Sequence, residues 1–383
     1  MLTALTKHGN SDASTLLGDR EYSQSKPLLM INRRQFFTLA AATTGLSVVS
    51  SFKKSAIAAA NVPEPLSNLR PPRLQPGDTV GIISPASATF RPEEIDIVVE
   101  AMAGLGLESR LGNHVGDRYG YLGGQDGDRA ADINDFFADS DIAALVPIRG
   151  GWGCSRVLPY LDYDLIRQNP KIIVGFSDIT ALLLGIYAQT QLITFHGPNG
   201  YTGWRTQQTD YFRRVLFGGE ALTYENWPSG DDDSRLMQVN NRIQTITPGV
   251  AQGKLIGGNL SVLSGIVGSP YVPDLTGAIL FIEDVGETIY RIDRMMTHLK
   301  LAGLFDNLAG FVFGQCPNCL PDQSYGSLTL DEVIRDHIQP LGIPAWTGAM
   351  IGHIETIVTL PIGGEVEIDA SAGTIKMRSP AVQ

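Results

Sequence analysis

The chain has 383 residues, of which 43% are hydrophobic and 18% charged, so it is long enough for two ordinary domains and too apolar to be disordered throughout. Its formal net charge of -11 argues against a nucleic-acid partner, because phosphate backbones are held by concentrated Lys and Arg. Three cysteines exclude a disulfide-dense scaffold, and Cys316-Pro-Asn-Cys319 is one CxxC without the second pair a structural zinc site uses. That pair reads as buried or incidental.

Residues 1–30 are polar and patternless. Asn32-Arg33-Arg34-Gln35-Phe36-Phe37 then leads into a weakly apolar run over 38–52, closed by Lys53-Lys54 and the small residues Ala56-Ile57-Ala58-Ala59-Ala60. The run is too short and too rich in Ala, Ser and Thr for a stable membrane span, which needs about 20 apolar residues. A basic start, a modest apolar core and a small-residue end make a signal peptide. The paired arginines resemble the twin-arginine signal, which exports folded proteins, so the expected location is periplasmic. An amphipathic N-terminal helix or a misassigned start is the competing reading, and would leave the protein in the cytoplasm. Cleavage after Ala60 would remove seven of the 29 basic and three of the 40 acidic residues, taking the net charge to -15.

Strand and helix patterns alternate from residue 70. A β-branched run over 78–83 reads as a buried strand stopped by Ser84-Pro85. Pro92-Glu93-Glu94 opens a helix with proline early and acids in the first turn, and Ile95, Val98, Val99 and Met102 mark its apolar face. A second helix is expected over 128–139, and a strand over 142–148 ends in Arg149-Gly150-Gly151-Trp152-Gly153. A strand over 171–176 passes without a linker into a helix over 179–188, and a further strand over 191–195 ends at His196-Gly197-Pro198. This order predicts an α/β fold with a parallel sheet covered on both faces, whose working residues lie at the strands' carboxyl ends.

The stretch 201–250 has few sustained apolar periods and reads as a connection between domains, ordered in part by Trp204, Phe212 and Trp227. Beyond it come Gly257-Gly258-Asn259, a strand over 278–282, and a helix carrying Ile289, Ile292, Met296 and Leu299. A strand over 310–314, a helix over 330–338 and a β-rich end over 356–377 complete the chain. The predicted division is therefore an N-terminal α/β domain over 70–200 and a β-rich C-terminal domain over 251–383.

Gly175-Phe176-Ser177-Asp178 sits where a strand turns sharply into a helix, the geometry of a nucleophile elbow, although Ile179 replaces the last Gly of that pattern. Ser177 or Asp178 would equally serve as a helix cap. A serine nucleophile needs a base and a group to orient it. His114, His298 and His337 occupy loop or amphipathic surroundings and read as solvated, whereas His196 and His353 both follow apolar runs and stand beside glycine. Periodicity leaves those two open.

Several blocks, taken in order, resemble the LD-carboxypeptidase family, serine peptidases that trim murein tetrapeptides. They are Arg149-Gly150-Gly151-Trp152-Gly153, Arg156 to Tyr163, Asn169-Pro170-Lys171, Gly175 to Leu182, Thr194-Phe195-His196-Gly197-Pro198, Gly257-Gly258-Asn259-Leu260, Phe281 to Glu287, Tyr290 to Arg294 and Gly352-His353. The similarity runs from about residue 73 to 378. It implies a flavodoxin-like N-terminal domain, a β-rich C-terminal domain and a triad split between them. Carried over, Ser177 is the nucleophile, Glu283 the orienting carboxylate and His353 the base. The family's elbow often has Tyr where this chain has Phe176.

With those roles, Glu287 is the competing carboxylate, and the oxyanion donors are the Asp178 amide with one amide of Gly150-Gly151. Arg149 and Arg291 are the candidates for a substrate carboxylate, with a structural ion pair the competing role for Arg149 and pairing with Glu287 that for Arg291, and His196 becomes structural. The expected substrate is a murein peptide, with no metal, no organic cofactor and no nucleic acid. A homodimer is compatible with the sequence. Two alternatives are a self-immunity peptidase of the same family, with Trp152, Trp204 or Trp227 as a platform for a nucleobase, and a murein-binding protein without catalysis.

Overall fold

The computed structural model describes residues 68–227, 236–321 and 326–383, so the signal-like segment and the acidic run at 231–233 lie outside the described residues. The chain enters the fold through β1 (Thr79–Ile83), whose Val80, Ile82 and Ile83 are fully buried on both faces, as a strand covered by helices on both sides requires. Next come α1 (Pro92–Leu105), β2 (Glu108–Leu111), α2 (Asp126–Ala138) and β3 (Ile142–Pro147). The short helices α3 (Cys154–Val157) and α4 (Tyr163–Gln168) precede β4 (Ile172–Gly175), α5 (Ile179–Thr190) and β5 (Thr194–His196). These five strands are parallel and lie in the order β2-β1-β3-β4-β5, the flavodoxin-like arrangement expected from the resemblance.

The stretch 201–250 holds more regular structure than its periodicity suggested. Helix α6 (Thr206–Leu216) buries Gln208, Phe212, Val215 and Leu216, a single narrow face in an otherwise polar segment. Strands β6 (Thr223–Tyr224) and β7 (Gln244–Thr247) are too short to show a period at all. Both join the second sheet, at its opposite edges.

That sheet is built around β8 (Val250–Asn259), which leads through α7 (Leu260–Ile266) to β9 (Ile279–Glu283), α8 (Ile289–Leu301) and β10 (Gly310–Phe313). Helix α9 (Leu330–Ile338) starts with a full capping box, Thr329 and Glu332 bonding reciprocally, before β11 (Ala345–Thr347). Strands β8 to β11 run parallel, and β7 closes one edge antiparallel to β11. The chain ends in β12 (Leu360–Ile362), β13 (Glu365–Asp369) and β14 (Thr374–Met377). Strand β13 pairs antiparallel to β8, with β14 and β6 beyond it. Strand β12 instead returns to the first sheet and pairs antiparallel with β5, setting Leu360 opposite His196. The β-rich end therefore completes both sheets.

Helix α5 is buried almost all round, from Ile179 to Tyr187, so it has no solvent face to serve as an amphipathic marker. Its Thr180 hydroxyl accepts a hydrogen bond from the Asn259 amide of β8 at 3.1 Å, tying the helix after β4 to the second sheet. The carboxyl ends of β4, β8 and β9 thereby meet at one place. Among the described residues, no helix is long and apolar enough to cross a membrane.

Candidate active site

Ser177 is held at φ 64°, a left-handed conformation that a non-glycine residue adopts at a cost of about 1–3 kcal/mol. Strand β4 ends two residues earlier and α5 begins two residues later, so the turn has no length in which to relax. Gly150 faces it closely: a Cβ there would stand 2.8 Å from the Ser177 Cβ and 3.2 Å from the Asp178 amide nitrogen. Only glycine lets the turn after β3 approach the serine this far. Asp178 occupies the N-cap position without capping, because its carboxylate accepts the buried Cys154 amide at 2.8 Å instead. Burial pushes that carboxyl up to about 6.

The Ser177 hydroxyl lies 3.0 Å from His353 Nε2, and His353 Nδ1 lies 2.7 Å from Glu283 Oε2. A carboxylate can only accept, so Nδ1 carries the proton, and Nε2 is left with a lone pair toward the serine. Glu283 is completely buried at the end of β9. Its other oxygen accepts from Asn259 Nδ2 at 3.2 Å, a contact prepared by the register that sets Asn259 opposite Glu283. The same amide nitrogen donates to Asp284 Oδ1 at 3.0 Å, while the Asn259 side-chain oxygen caps α7 through the Val262 amide. Asp284 also accepts the Ser261 amide and hydroxyl, at 2.9 and 2.6 Å. Asn259, Ser261 and Asp284 thus form a polar bed under Glu283 that reasoning from the sequence did not assign. Gly257-Gly258-Asn259 was its visible trace.

Burial lowers the His353 pKa, but the Glu283 hydrogen bond and the charges of Glu283 and Asp284 outweigh it, leaving it above the ordinary histidine value. His196 is the opposite case. It is fully enclosed, packs edge-on to Phe176 and Phe281 with ring centroids 6.3 and 5.4 Å away, and has no hydrogen-bond partner on either nitrogen. Burial and the neighbouring His353 push it down to about 3, so it is a neutral ring in the core. Phe176 also meets the His353 ring at 5.0 Å, so its aromatic face packs beside the imidazole.

A cleft of about 550 Å³ opens over Ser177, with Gly151, Trp152, Asn259, Asp284 and Glu287 among its walls. None of the described side chains lining it belongs to Lys or Arg. Arg149 and Arg291 instead take the competing ion-pair roles that the sequence left open. Arg149 is ion-paired with Glu94 and its guanidinium stacks 5.2 Å from the Tyr201 ring. Arg291 Nε is paired with Glu287 Oε2 at 2.8 Å, one helical turn away, which leaves only the carboxylate facing the cleft.

The remaining expectations also separate. Trp152 is 69% exposed on the cleft wall, whereas Trp204 packs on Phe212 and Trp227 on Tyr211. His114 pairs with Asp117 at 2.8 Å, and His298 with the Ser264 hydroxyl at 3.0 Å. His337 is buried rather than solvated, held by Asp293 at 2.7 Å across the packed helices α8 and α9. Cys316 and Cys319, which by spacing read as a buried or incidental pair, are joined in a disulfide.

Comparison with known proteins agrees with this architecture. Residues 80–197 match the LD-carboxypeptidase N-terminal domain, and residues 252–368 match its C-terminal domain. A probable murein peptide carboxypeptidase of Bacillus subtilis is 37% identical over 311 residues, covering 80% of this chain and 93% of the relative. The microcin C7 self-immunity protein of Escherichia coli is 32% identical over 315 residues, covering 76% of this chain and 91% of the relative. The solved structure of the microcin C7 self-immunity protein without ligand superposes with a TM-score of 0.73 at 30% identity, covering 82% of this chain and all of that one. A fold of two sheets meeting at the ends of β4 and β9, matched along both halves, makes this chain a member of the LD-carboxypeptidase family of peptidases.

Proposed function

We propose that the protein is a serine carboxypeptidase that cleaves the amide between an L-centre and the terminal D-alanine of murein tetrapeptides, in peptidoglycan turnover. The observation carrying this reading is the hydrogen-bonded chain Ser177–His353–Glu283 beneath an open cleft. In this mechanism Ser177 Oγ attacks the scissile carbonyl while His353 Nε2 accepts the hydroxyl proton, and buried Glu283 stabilises the resulting imidazolium. The developing oxyanion faces the Asp178 amide and an amide of the Gly150-Gly151 turn. Collapse breaks the C–N bond, His353 returns the proton to the departing D-alanine amine, and water repeats the cycle on the acyl-serine.

In this reading the terminal carboxylate is met by the Ser155 hydroxyl and by N–H groups of the 150–153 turn other than that of Trp152, which donates to Ser87 Oγ at 3.1 Å. Free-acid, amidated and L-alanine-terminated versions of one tetrapeptide test this, with product amine as the readout. Rapid release is expected from the free D-acid alone. Equal rates for all three would reduce the protein to a general amidase.

The self-immunity reading is favoured by a different observation: the exposed indole of Trp152 on the cleft wall, able to stack on a nucleobase. A peptidyl-nucleotide amide added to the same assay discriminates, since its faster cleavage would make that reading the better one.

We further propose export by the twin-arginine route, supported by Arg33-Arg34 with the small-residue stretch ending at Ala60, and by a Cys316–Cys319 disulfide of the kind that persists in oxidising compartments. Replacing both arginines by lysine is expected to leave uncleaved precursor in the cytoplasm. Mature protein still reaching the periplasm would refute it.

A further inference from the structure

The disulfide lies one turn from the triad. Residues 315–320 form the turn after β10, and this turn is bonded along its length to the acidic loop between β9 and α8. Gln315 O accepts the Asp284 amide at 3.4 Å, Pro317 O accepts the Gly286 amide at 2.9 Å, and the Leu320 amide donates to Glu287 O at 3.2 Å. The Ile289 amide then donates back to Leu320 O at 3.2 Å. On its other side the Gln315 amide donates to Ile351 O at 2.8 Å, two residues before His353, and its side chain donates to Gly348 O at 3.1 Å. One short turn therefore touches both the segment that follows Glu283 and the segment that delivers His353. Within it, Cys316 O accepts the Cys319 amide at 3.2 Å, and the disulfide joins the same two residues covalently. Both cysteines are half-buried, so a small reductant can reach them.

We propose that the Cys316–Cys319 disulfide is a positioning element of the triad, closing the turn that keeps Glu283 and His353 in register. The proposal rests on the peptidase reading for its effect on rate, but not for its effect on His353. Opening it takes a dithiol: two thiols of the reductant are oxidised to a cyclic disulfide while the Cys316–Cys319 bond accepts two electrons and two protons. The closed loop spans only three residues, so its chain-entropy contribution to global stability is small and the consequence of opening is local. The turn then no longer holds the acidic loop and the 351–353 segment at fixed spacing. Because the Glu283 hydrogen bond is what raises the His353 pKa against burial, loosening that contact moves it down.

The test compares oxidised protein, protein reduced with dithiothreitol and alkylated, and the double variant Cys316→Ser/Cys319→Ser, each checked for a folded circular-dichroism spectrum. Two quantities are read: the rate at which a fluorophosphonate phosphonylates Ser177, with loss of fluoride, and the midpoint of the His353 ring titration by NMR. Reduced protein and the double variant are expected to react on the order of tenfold more slowly, the scale of a sub-ångström misplacement, with a lower His353 midpoint. Dithiol should leave the double variant unchanged. Equal labelling rates and equal midpoints in the oxidised and reduced forms would overturn the proposal, as would a double variant that still responds to dithiol. A shifted midpoint in a protein that the probe never labels would uphold the positioning role and remove the serine-peptidase reading.

Discussion

Ser177→Ala and His353→Ala are each expected to lower kcat on murein tetrapeptide by about 10⁴-fold or more, with the fold intact. In the proposed mechanism the serine supplies the attacking oxygen, and among the described residues the histidine is the only proton acceptor placed on it, at 3.0 Å, so neither loss is compensated by the other. Glu283→Gln should cost less than either. It keeps the shape of the buried side chain and removes the charge that stabilises the imidazolium, so its deficit lies in kcat. The pH profile provides an independent check. As the proposed base His353 is competent only when neutral, so activity should rise with pH through its folded-state pKa, which lies above the ordinary histidine value. The wild-type midpoint should therefore exceed about 6.5, and Glu283→Gln should lower it. Turnover by Ser177→Ala at the wild-type rate would remove the nucleophile assignment.

Gly352→Ala is expected to reduce kcat by about 10²-fold while leaving KM within a few-fold. Gly352 has φ 116°, where an L side chain is strained, and a Cβ added there would stand 2.6 Å from Glu283 Oε2 and 2.8 Å from the Glu283 Cβ. Glu283 cannot retreat, because it is fully buried and held from the far side by Asn259. The new methyl must displace either the carboxylate or the segment carrying His353, and both lengthen the 2.7 Å contact between them. Strain of this kind costs on the order of 1–3 kcal/mol, so the melting temperature should fall by several degrees as well. Steady-state kinetics and a thermal melt on the one variant check both parts. Wild-type kcat at unchanged stability would mean that the Glu283–His353 contact does not limit the reaction.

What the sequence alone determined follows from burial. Strands covered on both faces must be continuous apolar runs, so β1, β3, β4 and β9 were visible, and a strand running straight into a helix marked the Ser177 turn. The alternation of strand and helix predicted the parallel sheet, and the ordered motif blocks identified the family. Tertiary structure decided everything that depends on which distant segments meet. His353 and His196 both follow apolar runs, yet one lies 3.0 Å from a serine 176 residues away, and the other is sealed between two phenylalanines without a partner. Glu283 and Glu287 stand four residues apart, one closing β9 and the other in the loop after it; the parallel register with β8 turned the first toward Asn259 and His353, and the helical turn of α8 set the second beside Arg291. Arg149 reads from its strand-end position as either a substrate cation or a structural ion pair, and α1 supplies the pair by bringing Glu94 against it. Strand β12 pairs with β5 across more than 150 residues, and the two cysteines bond because the turn after β10 folds them together. Local pattern records how each segment is buried and where a chain turns sharply, whereas which distant strand ends and loops assemble into one site is a property of long-range packing that local pattern does not carry.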